Sequence, residues 1–157
     1  MKQIKWCLNT KNGLELIEPN ENLSIAYLKK AEDAIRAAQS LKDNLDWEVS
    51  SLYYSQYFSL YALLMKCGIK CEIHSCTLEF MNVFLNKFFT PDEFELITKS
   101  QKARNDLQYY SDKVITKEFY LRMKKESIVF LVKCKNLLND LTQKERCAIR
   151  EKLNSLK

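Results

Sequence analysis

The apolar positions of this chain recur mostly at helical intervals of three and four residues, and they predict a run of helices. The segment from about Trp47 to Cys67 is apolar nearly all round, which marks a central helix. Within it Tyr53, Tyr57 and Tyr61 fall four apart on one side and Ser51, Ser55 and Ser59 line another. The tyrosines read as packing groups with a wet hydroxyl, and the serines leave room for a close neighbour. Gly68 follows as a natural helix stop.

An amphipathic helix precedes it from about Leu23 to Leu41. Tyr27, Ala31, Ala34, Ile35, Ala38 and Leu41 face inward, Lys29, Lys30, Glu32 and Arg36 face away, and Asn20 or Asn22 serves as N-cap. After a loop at Ile69–Ile73, a third helix is predicted from Ser75 to Phe88. Thr90-Pro91-Asp92-Glu93 then joins a capping threonine, a first-turn proline and two acids, and starts a fourth helix that ends near Tyr109 or Tyr110. A fifth helix runs from about Lys117 to Leu141, and a basic tail helix follows from Gln143. Residues 1–21 carry turn signals at Lys11-Asn12-Gly13 and Pro19-Asn20 and read as an irregular arm.

The expected fold is all-α: an antiparallel up-and-down bundle of about five helices plus a C-terminal helical tail, in a single domain over residues 1–157. Composition agrees. The chain has 157 residues, 46% of them hydrophobic, with only two glycines and two prolines, too few for a sandwich or barrel. No apolar run approaches the ~20 residues of a membrane span, and the first residues have no apolar leader, so a cytoplasmic protein without a membrane partner is expected. The net charge is +5, and the whole excess lies after residue 116. A basic tail attracts nucleic acid or an acidic partner, but carboxylates are interspersed here, which favours a solvated helix face.

Six cysteines occur. Cys67, Cys71, His74 and Cys76 fall within ten residues, but the spacing lacks the paired pattern of a zinc site. Free, buried thiols are the expectation, with no disulfide, no metal and no cofactor.

The chemically unusual stretch is Lys102-Ala103-Arg104-Asn105-Asp106-Leu107-Gln108-Tyr109-Tyr110. Arginine offers a planar donor fork for phosphate, and tyrosine adds a stacking face and a hydroxyl. Residues four apart share a helix face, which aligns Arg104 with Gln108, with Asn105 or Asp106 beside them, and displaces Tyr109. Alternatively, Arg104 pairs with a surface carboxylate.

The order of features adds to this. Leu52-Tyr53-Tyr54-Ser55-Gln56-Tyr57-Phe58 in the central helix leads to Gly68-Ile69, His74-Ser75 opens the next helix, and Arg104-Asn105-x3-Tyr109 follows about thirty residues later. With Trp6-Cys7 and Glu18-Pro19-Asn20-Glu21-Asn22-Leu23 in the lead-in, residues 1–140 resemble the HEPN superfamily, in particular an uncharacterised prokaryotic subfamily with an Arg-x4-Tyr motif. The resemblance implies a homodimer with the arginine motifs of two subunits near one cleft. Catalytic HEPN proteins are metal-independent RNases whose arginine is followed by a polar residue and then a histidine. Here Arg104 and Asn105 match, but Tyr109 takes the histidine position, and a phenol with a pKa of about 10 is a poor general base at neutral pH. HEPN partners of minimal nucleotidyltransferases carry a His-x-Tyr ending, which Tyr109 and Ser111 replace.

Three functions remain open. In the first, an Arg104-centred cleft binds a nucleotide, RNA or protein partner, in a toxin–antitoxin or nucleotidyltransferase-associated system. Arg104 then holds phosphate, Asn105 and Gln108 supply directional hydrogen bonds, and Tyr109 or Tyr110 stacks on a base. In the second, the protein is a metal-independent endoribonuclease in which Arg104 stabilises charge and His74, the single histidine, moves the proton. In the third, it is a structural dimerisation module.

Overall fold

The computed structural model describes residues 2–156. It is a mostly helical bundle: α1 (Lys2–Asn9), α2 (Glu21–Ser40), α3 (Leu45–Cys67), α4 (His74–Phe84), α5 (Pro91–Tyr109), α6 (Lys117–Asp140) and α7 (Gln143–Ser155). Two short strands, β1 (Glu15–Leu16) and β2 (Ile69–Lys70), pair antiparallel with Glu15 opposite Lys70 and Leu16 opposite Ile69. No helix among the described residues is long and apolar enough to cross a membrane.

α3 is central because its sequence has no polar face to give to water. Val49, Tyr53, Ser55, Gln56, Leu60, Leu63 and Leu64 point in different directions around the helix and are all fully buried. It packs against α2, α5 and α6. Small residues on α2 allow a close approach: Ala31 and Ala38 are buried, and the Ser24 hydroxyl donates to the Ala62 carbonyl across the interface at 2.9 Å.

The helix ends follow local chemistry. Asn20 accepts from the Leu23 N–H, Thr90 and Glu93 form a reciprocal capping box with Pro91 in the first turn, and Thr116 caps α6. Thr142 and Glu145 repeat the box at α7, where hydrogen bonds from Lys87 and Thr142 hold the Glu145 carboxyl down to about 2. α3 ends at Gly68, whose φ of +69° suits glycine. A Cβ there would also lie 2.3 Å from Arg150 Nη1 and 2.6 Å from the Ile17 oxygen.

Three sequence expectations need correction. The N-terminal arm is not irregular throughout: α1 forms because Ile4, Cys7 and Leu8 at helical spacing bury one face, and β1 follows the turn at Lys11–Gly13. α4 stops at Phe84, because Leu85 turns inward and Phe89 reaches Phe130, their ring centroids 5.4 Å apart. Finally, the cysteines are not all free. α1 lies on α4, which brings Cys7 and Cys76 to a Cα separation of 5.4 Å in a disulfide; Cys67, Cys71 and Cys134 remain as buried thiols and Cys147 is exposed.

The basic tail is docked, with part of its charge used inside the fold. Arg150 Nη1 donates to the carbonyls of Ile17, Cys67 and Gly68 at 2.7, 3.0 and 2.8 Å, and Lys152 donates to the Val83 oxygen at 2.8 Å. One guanidinium thus satisfies carbonyls that the end of α3 leaves without helical partners.

Candidate functional site

The aromatic run of α3 forms a strip beside the start of α4 and the last turns of α5. His74, the first residue of α4, folds back onto α3 because β2 and the following loop reverse the chain. Its ring stacks on Tyr57 at 4.0 Å and 5°, and it stands edge-on to Tyr54 with centroids 6.2 Å apart.

His74 Nδ1 lies 2.7 Å from the Tyr53 hydroxyl. Burial pushes the Tyr53 phenol far above its usual range, so it keeps its proton. Tyr53 is fully buried and this is its hydrogen bond, so its O–H donates to Nδ1 and leaves the imidazole proton on Nε2. Burial first, then the positive charge of Arg104, lower the His74 pKa, and the ring is neutral at pH 7.

Arg104 reaches the strip from α5. Its Nη2 donates to the Tyr54 hydroxyl and its Nη1 to Asn105 Oδ1, both at 2.9 Å. The guanidinium carbon lies 5.4 Å from the Tyr54 ring centre and 5.6 Å from that of Tyr109, within cation–π range of both. Its Nε is buried and without a partner, and among the described residues no carboxylate lies within ion-pair distance of it. The nearest acid in sequence, Asp106, is taken by Lys102.

Of the residues singled out in the sequence, Arg104, Asn105 and Tyr109 therefore meet, and His74 joins them across Tyr54. Gln108 points elsewhere: with Asp46, Trp47, Leu107 and Tyr109 it lines a cleft of about 330 Å³. The helical spacing paired Arg104 with Gln108, but the long arginine side chain turns toward the exposed end of the helix, where Tyr109 covers it. Tyr110 is exposed just past the helix, and its N–H donates to the Asp106 oxygen. Asp106 lies on the face toward α6, in a cleft of about 420 Å³ with Lys102, Ile115, Phe119 and Arg122.

Sequence reasoning missed Tyr54. Its neighbours Tyr53, Tyr57 and Tyr61 are indeed buried, whereas Tyr54 is half-buried and bonds to Arg104. The only available signal was that it falls outside their four-residue spacing.

The cysteine-rich group is dispersed among other contacts. Cys76 is in the disulfide, Cys71 Sγ donates to the Ile73 oxygen, and burial pushes the Cys67 thiol up to about 12. Among the described residues no group of three or more His, Cys, Asp or Glu side chains is placed to hold a metal.

No family model matches the chain. Over 118 residues it is 29% identical to a protein of Methanocaldococcus jannaschii named "Putative toxin MJ0142", an alignment that covers 71% of this chain and 78% of that one.

Proposed function

We propose that this chain is a HEPN-like protein of a toxin–antitoxin system that binds the phosphate of a nucleotide or RNA at Arg104. The observation that carries this is the half-buried guanidinium of Arg104, flanked by two tyrosine rings and, among the described residues, matched by no carboxylate. A half-buried cation whose Nε is shut off from water and partners is under-satisfied, and an anionic ligand would supply the missing charge. Asn105 orients the fork, Tyr54 and Tyr109 offer stacking faces, and the Nε2–H of His74 adds a donor. The order of motifs and the name of the archaeal relative support the toxin-type context. From the same resemblance, a homodimer and a partner protein such as a minimal nucleotidyltransferase belong to the proposal.

Cleavage of RNA by Arg104 and His74 is the second reading. The shared contact of His74 and Arg104 with Tyr54, and the neutrality of His74, favour it. Against it, the lone pair at Nδ1 faces Tyr53, so the ring presents a donor where a base is needed.

Titration of fluorescent RNA and of a nucleoside monophosphate into wild type and Arg104→Ala tests the proposal. Loss of one charge-assisted contact weakens binding by about ten- to a hundredfold. Unchanged affinity in a folded Arg104→Ala protein overturns it. Incubation of RNA with the protein in EDTA separates the second reading: cleavage that disappears in both Arg104→Ala and His74→Ala supports it, and no cleavage by wild type dismisses it.

A further inference from the structure

The aromatic strip does not end at Tyr54. The ring of Tyr54 is stacked against that of Phe58, centroids 5.4 Å apart and planes 24° apart, and both residues are half-buried. Beyond Phe58 stands Lys30 of α2, its ammonium 5.5 Å from the Phe58 centroid and 5.2 Å from that of Tyr27. Lys30 is exposed and, among the described residues, has no carboxylate within ion-pair distance, whereas its neighbour Lys29 is paired with Asp33. A cavity of about 200 Å³ opens at this end, between Lys30, Tyr27, Phe58, Tyr61 and Glu72. Its rim carboxylate, Glu72, is matched by Lys70 at 2.7 Å.

Two cations without counter-ions among the described residues thus bracket a pair of stacked rings. Along the path through Tyr54 and Phe58 they are at most about 16 Å apart. A separation within that limit is reached by phosphates no more than about two or three nucleotides apart on a single strand. The larger cleft between α5 and α6 lacks this character, because its cations Lys99, Lys102 and Arg122 are paired with Glu95, Asp106 and Glu126.

We infer that the strip from Arg104 to Lys30 is an extended site for single-stranded nucleic acid. Lys30 holds a second phosphate, Phe58 and Tyr54 stack on bases between the two cations, and the cavity beside Tyr27 receives the base nearest Lys30. This rests on the assignment of Arg104 as a phosphate site and adds that the ligand is an oligonucleotide longer than one residue. Sequence-tolerant stacking on rings between backbone cations is the general mode for single strands.

The test uses the full chain, a nucleoside monophosphate, and four-residue oligonucleotides in ribo and deoxyribo form. Lys30→Ala is expected to leave monophosphate affinity unchanged, to weaken the tetranucleotide about fivefold or more, and to lower its salt slope by about 0.7. Phe58→Ser should weaken the tetranucleotide at least fivefold, within the range of one lost base stack. Arg104→Ala should weaken both ligands. Equal affinity of wild type and Lys30→Ala for the tetranucleotide overturns the second subsite and leaves the Arg104 assignment standing. An equal loss for both ligands in Lys30→Ala also overturns it, because Lys30 then belongs to a single phosphate site. Failure of wild type to bind either ligand overturns both. A preference for the ribo form assigns the strand as RNA, and equal binding assigns any single strand.

Discussion

The bond between Cys7 and Cys76 makes a prediction whose size follows from the topology. It joins residues 69 apart in sequence and fastens α1, a helix of only 8 residues, to α4. A helix that short does not persist in isolation, so its order comes from the face it buries and from this link. In the chain-entropy description, closing a loop of that length removes unfolded-state entropy equivalent to about 4 kcal/mol. Both sulfurs are buried, so replacing them with alanine adds a small packing loss to the same sign. Urea unfolding of protein purified without reductant, compared with the Cys7→Ala/Cys76→Ala double variant, should show a loss of about 4–5 kcal/mol and a larger m-value as the unfolded chain expands.

Thiol titration gives an independent check. The chain has six cysteines, four of them free, so unfolded but unreduced protein should titrate four thiols and reduced protein six. In the native state only Cys147 should react promptly, because Cys67, Cys71 and Cys134 are buried. Six reactive thiols in unreduced denatured protein, or a double variant within about 0.5 kcal/mol of wild type, would refute the reasoning.

Three further outcomes follow from single contacts. Arg150→Ala removes the donor shared by the Ile17, Cys67 and Gly68 carbonyls and should cost about 2–3 kcal/mol, with faster amide exchange where β1 and the end of α3 meet. Glu48 is 1% exposed and is held by Lys124 at 2.8 Å and the Tyr120 hydroxyl at 2.6 Å, so Lys124→Ala should cost about 2–3 kcal/mol by leaving a buried carboxylate short of its counter-ion. Glu48→Gln should cost less, because Lys124 can turn to water, and equal losses in thermal unfolding would count against that asymmetry. The lowered His74 pKa means that the unfolded chain binds the proton more readily, so its stabilising effect is complete above about 6.5 and is lost as pH falls through the folded value. NMR titration of this single histidine should show that value below 6.5, and Arg104→Gln should move it up; a shift down or none would remove Arg104 as a cause.

The helices were legible because their ends are local. Thr90-Pro91-Asp92-Glu93 starts α5 and Gly68 stops α3 through contacts within one turn, which neighbouring residues alone determine. What stayed hidden depends on approach between distant segments. The short amphipathic pattern of Ile4, Cys7 and Leu8 becomes a helix by packing on α4, and nothing within residues 1–21 points to Cys76. The tail had the opposite problem: its periodicity located α7, but a basic residue reads the same whether it is solvated or, like Arg150, donating to three carbonyls.

For the proposed site the division is the same, and it bears on the chemistry. Arg104, Asn105 and Tyr109 were visible as one motif, while Tyr54, fifty residues earlier, was not. At the position where the HEPN resemblance would put a histidine stands Tyr109, so no histidine of α5 supplies a proton acceptor to Arg104. The Tyr53 hydroxyl takes up the acceptor of His74, Nδ1. These two observations are independent, one a matter of sequence and one of packing, and they act in the same direction. What remains at the guanidinium is its own N–H groups and the Tyr54 hydroxyl, which accepts from Arg104 and keeps its own proton to donate, while Asn105 Oδ1 is already taken by Nη1. Free donors beside aromatic faces fit the proposed binding of a phosphate and of the base that carries it. Proton abstraction would first need His74 to break from Tyr53, and this would leave a fully buried phenol without its partner. Tyr53→Phe therefore separates the two chemistries: without the phenol to fix the tautomer the ring can carry its proton on Nδ1 and offer Nε2 as acceptor, so any RNA cleavage should rise in that variant while affinity at Arg104 holds.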